Sequence, residues 1–236
     1  GLSCEPSGLR VVIEFRVARK VSRMSKLLVM GASRGIGLET VKAALEAGHA
    51  VRAFARSADG IALNDAKLEK FSGDALDADD VKRALSGVET VIQVLGASIN
   101  PQTLLRGTRL FSDATRILVD AMSAQGPKRL ICVTGIGAGD SRDHLGALYR
   151  IAFTLSLKRL YDDKDVQEQI VRNSGLDWTI VRPGLLRDGR ATGLYQVLET
   201  PKEWKVGPVR RADVALFLVD EAERGAYRGK TPAIIA

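Results

Sequence analysis

Residues 31–37 read Gly-Ala-Ser-Arg-Gly-Ile-Gly, a spacing that suits a backbone cradle for a diphosphate. Gly31 would permit a sharp exit from a strand, and Gly35 would let phosphate approach the main chain. Gly37 would let the following helix pack close to a sheet. Ala32, Ser33 and Ile36 complete the turn, and the unpaired N–H groups opening the helix would face the anion. A second point of chemistry lies at Arg56 and Ser57, at the end of the next apolar run. A site for NAD usually carries an acidic residue there, which accepts from the ribose 2′-hydroxyl. Here Arg56 joins Arg34 of the turn, and two guanidiniums supply the charge and forked donors that a 2′-phosphate needs. The expected cofactor is NADP(H) in preference to NAD.

These residues require a strand, a helix and a second strand in that order. Leu27 to Met30 is a short apolar run ending at Gly31. Ile36, Val41, Ala44 and Leu45 then recur at helical spacing, and Val51 to Ala55 is the next apolar run. That is one right-handed βαβ unit. The alternation continues down the chain. Lys67 to Ser72 reads as a third strand, with a helix from about Asp77 to Ser86, and Val88 to Leu95 reads as a fourth. Thr108 to Ala124 is an amphipathic helix stopped by Gly126-Pro127, Arg129 to Thr134 a fifth strand, and residues 145–173 a long helical region. Trp178 to Val181, a helix from Asp213 to Glu223, and Ala233 to Ile235 complete the series. The pattern predicts an α/β fold, a Rossmann-type doubly wound parallel sheet of about seven strands with helices on both faces. Ligands gather at the C-terminal edge of such a sheet. The fourth strand ends at Leu95, and the small residues that follow, Gly96-Ala97-Ser98, would leave room there for a cofactor ribose.

The predicted organisation is a single nucleotide-binding domain over 26–236, with a small C-terminal substrate region from about 185. Residues 1–25 read as an N-terminal extension. Leu9, Val11, Ile13, Phe15 and Val17 alternate as in an added edge strand, and a tag is the other reading. Glu14 and Arg16 interrupt its apolar part, which argues against a signal peptide.

Composition narrows the function classes. Apolar content of 45% and charged content of 27% are ordinary for a soluble globular protein. No apolar run reaches membrane-spanning length, so no membrane partner is expected. Only two cysteines, Cys4 and Cys132, stand far apart, which fits a reducing, cytoplasmic setting and no metal site. The net charge of +7 is concentrated in the first 30 residues, where Arg10, Arg16, Arg19, Lys20, Arg23 and Lys26 outnumber Glu5 and Glu14. With 5% aromatics and no nucleic-acid module, no nucleic-acid partner is expected. His49 and His144 read as surface histidines, and Asp162, Asp163 and Asp165 as a solvated helix face. Arg210 and Arg211 simply precede a helix, and Tyr195 and Trp204 read as core packing.

Residues 164–184, KDVQEQIVRNSGLDWTIVRPG, together with the Gly31 turn and the GDALD stretch at 73–77, resemble the atypical short-chain dehydrogenase/reductases. The similarity is to the NAD(P)H-binding group that includes NmrA-like proteins and biliverdin reductase B/flavin reductase-like enzymes. It covers about residues 25–236. It implies that Asp74, beside Ala75, contacts adenine, that Lys164 hydrogen-bonds the nicotinamide ribose, and that Pro183 and Gly184 line the nicotinamide. The superfamily commonly adds a Tyr four residues before the Lys and a Ser or Thr after the fifth strand. Here Leu160 holds the Tyr position with Tyr161 one step on, a step that turns about 100° around a helix. Gly135 holds the Ser position with Thr134 beside it. The catalytic candidates are accordingly Lys164, Thr134 and Tyr161. Flavins and quinones accept hydride at an electron-poor ring and can take their proton from solvent, so a chain without that Tyr and Ser can still serve them. The expectation is an NADPH-dependent oxidoreductase for a small flat acceptor, working as a monomer or homodimer. The alternative is a non-catalytic NADP(H)-binding sensor of NmrA type.

Overall fold

Leu27, Leu28, Val29 and Met30 are all fully buried, although successive side chains on a strand point to opposite faces. Leu27 and Val29 enter one apolar cluster and Leu28 and Met30 another, so this strand is covered on both sides. That is why its sequence is a continuous apolar run rather than an alternating one. The computed structural model describes residues 24–97, 107–144 and 158–236. The elements are β1 (Lys26–Met30), α1 (Gly35–Glu46), β2 (Ala50–Ala55), β3 (Leu68–Ser72), α2 (Ala78–Leu85), β4 (Thr90–Gln93), α3 (Leu110–Gln125), β5 (Arg129–Val133), α4 (Lys158–Arg172), β6 (Asp177–Pro183), β7 (Leu185–Arg187), β8 (Gln196–Leu198), β9 (Pro208–Arg210), α5 (Arg211–Arg224) and β10 (Ala233–Ile235).

The main sheet has the order β3-β2-β1-β4-β5-β6-β10-β8. Its pairings are parallel except β8, which runs antiparallel on β10. The order reverses between β1 and β4, the switch point at which a crevice opens at the C-terminal ends of the strands. Helices α1 and α5 pack together on one face through Val41, Ala44, Val214 and Leu218. Val81 of α2 and Leu118 and Met122 of α3 cover the other face, joined by Val171 of α4. Asp77 caps α2, its Oδ1 accepting from the N–H groups of Asp79 (2.9 Å) and Asp80 (3.0 Å).

The parallel Rossmann-type sheet is as expected, with eight strands in place of about seven. The additions fall after residue 185, where β7 and β9 form a separate two-stranded parallel sheet and β8 extends the main one. These strands are three residues each, too short to leave a periodic signature. The edge strand expected in residues 1–25 falls almost wholly outside the described residues, as does the first half of the long helical region at 145–173. Two polar expectations change. His49 is buried rather than on the surface, its Nε2 2.8 Å from Glu223 Oε1 at the end of α5. Asp163 is also buried and accepts from Phe111 N–H (2.9 Å) and Ser112 N–H (3.4 Å) at the start of α3. Asp165 accepts from Gly139 N–H (2.6 Å), so Asp163 and Asp165 fasten neighbouring elements, while Asp162 pairs with Lys158 on its own helix.

Candidate functional site

A cleft of about 1000 Å³ runs along the C-terminal edge of the sheet, over the switch point. Its floor is the glycine turn between β1 and α1. Gly31 takes φ +93°, and a Cβ there would stand 2.6 Å from Val94 O. Gly37 is tighter still, since its Cβ would stand 2.0 Å from Gly31 O. The turn can close on itself only with hydrogen at both positions. Helix α1 then begins with no side-chain cap and no acidic residue in its first turn. A helix start without these neutralising groups presents N–H donors and a positive dipole end, the donor set an anion requires. A phosphate group fits this floor.

One end of the cleft is built from the ends of β2 and β3. Arg34, Arg56, Ser57, Gly73, Asp74, Ala75 and Leu76 line it, and both arginines are exposed to it. Asp74 also serves the turn, since its Oδ1 accepts from Leu76 N–H at 3.0 Å. Leu95, Gly96 and Ala97 follow β4 in the middle of the cleft. From β2 to β5 the cleft crosses three strand intervals, roughly 14 Å.

At the far end α4 brings Lys164 and Tyr161 to the end of β5. Residues three apart on a helix are neighbours, and both side chains enter the cleft despite the shift from the usual Tyr position. Lys164 Nζ donates to Thr134 O at 2.6 Å and stands 4.4 Å from the centre of the Phe111 ring. Burial is the main force on this amine and pulls it down to about 8, with Cys132, Glu168 and Asp163 opposing. Thr134 Oγ1 points away to donate to Glu168 Oε1 at 2.8 Å. Glu168 in turn receives Arg182 Nε (2.9 Å) and Nη2 (2.6 Å), and Arg182 Nη2 also reaches Asp140 (2.6 Å). This ion pair is fully buried and fixes Thr134, whose carbonyl fixes Lys164.

Gly135 and Tyr161 are one arrangement. A Cβ on Gly135 would lie 2.7 Å from the Tyr161 hydroxyl, so the tyrosine oxygen occupies the space a serine side chain would need. The two departures from the superfamily pattern, at 135 and at 160–161, therefore go together.

Most of the residues singled out in the sequence line this cleft: Gly31, Ser33, Arg34, Gly35, Ile36, Arg56, Ser57, Asp74, Ala75, Leu95, Gly96, Ala97, Thr134, Tyr161 and Lys164. Ala32 and Gly37 lie buried beneath the turn. Pro183 and Gly184, expected to line the cleft, do not, and a Cβ on Gly184 would meet Gly207 O at 2.2 Å. Sequence reasoning missed Leu110, Phe111, Leu160 and Leu186, which make the far end apolar, and Arg211, which faces the turn. Phe111 had a usable signal, its place at the first turn of a helix entering the sheet edge. Leu186 lies on the short strand pair and Arg211 follows directly after it, as the first residue of α5, and neither had one. Trp204 is core, with its Nε1 donating to Leu198 O at 3.2 Å. Ser141 closes its own turn, its hydroxyl donating to Ala138 O at 2.6 Å. Among the described residues no helix is long and apolar enough to cross a membrane.

Comparison with known proteins agrees with this fold. Residues 31–224 match the NAD(P)H-binding family. ChuY, an anaerobillin reductase from Escherichia coli O157:H7, is 31% identical and aligns with a TM-score of 0.72, over 89% of this chain and 97% of that one. UPF0659 protein YMR090W of Saccharomyces cerevisiae is 37% identical over 106 residues, 44% of this chain and 43% of that protein, so the match spans less than half the length of the yeast protein. The uncharacterized sugar epimerase YhfK of Bacillus subtilis is 26% identical over 204 residues, 82% of this chain and 86% of that one.

Proposed function

The chain belongs to the NAD(P)H-binding family of short-chain dehydrogenase/reductase type, and from that premise we propose that it is an NADPH-dependent reductase passing hydride to a flat, electron-poor acceptor such as a flavin or quinone. One observation carries the proposal: a single cleft joins a phosphate-binding turn flanked by Arg34 and Arg56 to an apolar end holding Lys164. NADPH, when bound, supplies the hydride.

The remaining work falls to the chain's own side chains. Arg34 and Arg56 bind the 2′-phosphate, and the N–H groups opening α1 bind the diphosphate. Asp74 and Ala75 border the adenine. Lys164 is mostly an ammonium at neutral pH, given its titration near 8, and donates to the nicotinamide ribose. Leu110, Phe111, Leu160, Tyr161 and Leu186 form a surface that holds a planar ring and sheds water from it. Tyr161, seated over Gly135, bounds the acceptor on the β5 side. A carbonyl substrate needs a proton delivered to a defined oxygen, whereas a flavin or quinone can take one from water. The reductase activity stated for ChuY supports this reading over a sugar epimerase.

NADPH oxidation followed by absorbance with FMN, riboflavin and simple quinones tests it. Turnover should fall in Lys164→Ala and in Arg56→Ala, with only the Arg56 variant recovering at high NADPH. NADPH binding without turnover across the panel would refute the reductase and assign a sensor.

A further inference from the structure

The structure holds a third arginine at the phosphate turn that the reading above does not use. We propose that Arg211 is a cofactor-binding residue whose guanidinium, paired with Asp188 in this structure, transfers to the dinucleotide's diphosphate on its nicotinamide side. This inference rests on the dinucleotide-binding reading and adds a residue and a latch to it.

The placement follows from strand register. Parallel pairing of β7 with β9 sets Leu185 opposite Pro208, Leu186 opposite Val209 and Arg187 opposite Arg210. One step further brings Asp188 to Arg211, and Arg211 Nη1 lies 2.7 Å from Asp188 Oδ1. Arg211 is also the first residue of α5, which packs against α1, so its backbone is held by the same helix pair that carries the glycine turn. A Cβ placed on Gly35 would be 3.8 Å from Arg211 Nε and 3.9 Å from its Cδ. Arg211 therefore leans over the turn where phosphate is expected, at the end of the strand pair that carries Leu186.

The energetics favour an exchange. The Arg211 side chain is 29% exposed and the Asp188 side chain 93% exposed, so their ion pair sits largely in water and holds weakly. A diphosphate in the cleft offers a forked acceptor of higher charge to a guanidinium already on site. Asp188 belongs to a short exposed link. Beyond it Thr192 and Gly193 are tied down, their N–H groups donating to the buried Asp213 at 2.7 and 2.8 Å. Asp188 can therefore release Arg211 while the strand pair before it and the anchor after it stay in place. Neighbouring Arg210 has a different fate. Its Nη1 donates to Arg190 O at 3.0 Å, and it does not line the cleft.

The test is equilibrium binding of NADPH and of 2′,5′-ADP, whose phosphates both belong to the adenosine half. Wild type is compared with Arg211→Ala, Arg211→Lys, Asp188→Asn and Arg210→Ala, with melting temperatures to check folding. Arg211→Ala should weaken NADPH about 10- to 100-fold and change 2′,5′-ADP by less than about twofold. Arg211→Lys should fall between, keeping the charge and losing the fork. Asp188→Asn should tighten NADPH by roughly two- to fivefold. Arg210→Ala should match wild type. NADPH affinity unchanged in a folded Arg211→Ala, or equal loss of both ligands, would overturn the proposal alone. Wild type that binds neither ligand would overturn the dinucleotide reading itself, and the latch with it.

Discussion

Replacing Glu168 by alanine should be among the most damaging single changes near the site, and its cost can be worked from the contacts. The Glu168 carboxylate is 1% exposed and receives Arg182 Nε, Arg182 Nη2 and Thr134 Oγ1. Arg182 is fully buried, and its Nη1 already lacks a partner among the described residues. Truncation leaves that guanidinium with Asp140 as its one carboxylate partner among the described residues, and the Asp140 side chain is 57% exposed. Breaking a buried ion pair from one side costs about 3–5 kcal/mol, a large share of a stability of roughly 5–15 kcal/mol. With a urea dependence of about 2 kcal/mol per molar, the unfolding midpoint should fall by roughly 1.5–2.5 M. Glu168→Gln keeps acceptor and shape and should lose about half as much. Glu168→Met with Arg182→Met removes both charges and should recover most of the loss, because apolar isosteres replace buried pairs at little cost. The assay is urea denaturation followed by tryptophan fluorescence. A Glu168→Ala cost below about 1 kcal/mol, or a double variant no better than the single one, would refute the reasoning.

Three further outcomes are expected. Lys164 titrates near 8 when folded against 10.5 for the free side chain, so the unfolded chain holds its proton over that window while the folded one does not. Wild-type stability should therefore rise relative to Lys164→Met as pH climbs from about 8 to 10.5, by at most about 3 kcal/mol, and parallel denaturation profiles would contradict it. Burial pushes the Cys132 thiol up to about 12, and its Sγ donates to Gln93 Oε1 at 3.3 Å. Alkylation mapped by peptide mass should leave Cys132 unmodified in the native protein and label it in denaturant. Gly37→Ala puts a methyl 2.0 Å from Gly31 O, and opening the turn should cost about 3 kcal/mol or more and abolish measurable NADPH binding in a titration.

The central βαβ unit was legible because several independent signals coincide there. The apolar run of β1, the glycines of the turn and the apolar spacing of α1 each constrain the same thirty residues. The far end of the cleft was legible only in part. Lys164 was identifiable by its surrounding motif. The shift of tyrosine by one position suggested a side chain facing elsewhere, yet Tyr161 and Lys164 share a helix face. The missing information was the neighbour across the gap: Gly135 has no Cβ, so the tyrosine can lean into that space. Asp163 shows the same limit. Its sequence neighbours, Asp162 and Asp165, suggest a solvated face, but its partner is the first turn of α3, some fifty residues earlier. Arg211 is the extreme case, since its position over the turn depends on the pairing of two three-residue strands. Local pattern reports which face a residue occupies, not what another part of the chain brings to that face.

Under the proposed function, Arg56 should read the 2′-phosphate of NADPH. Titrating wild type and Arg56→Ala with NADPH and with NADH, by quenching of tryptophan fluorescence, tests it most directly. Wild type should prefer NADPH by about 10-fold or more, and Arg56→Ala should lose most of that preference by weakening NADPH while leaving NADH within about twofold. Equal affinity of wild type for the two nucleotides, or a preference that survives Arg56→Ala undiminished, would contradict it.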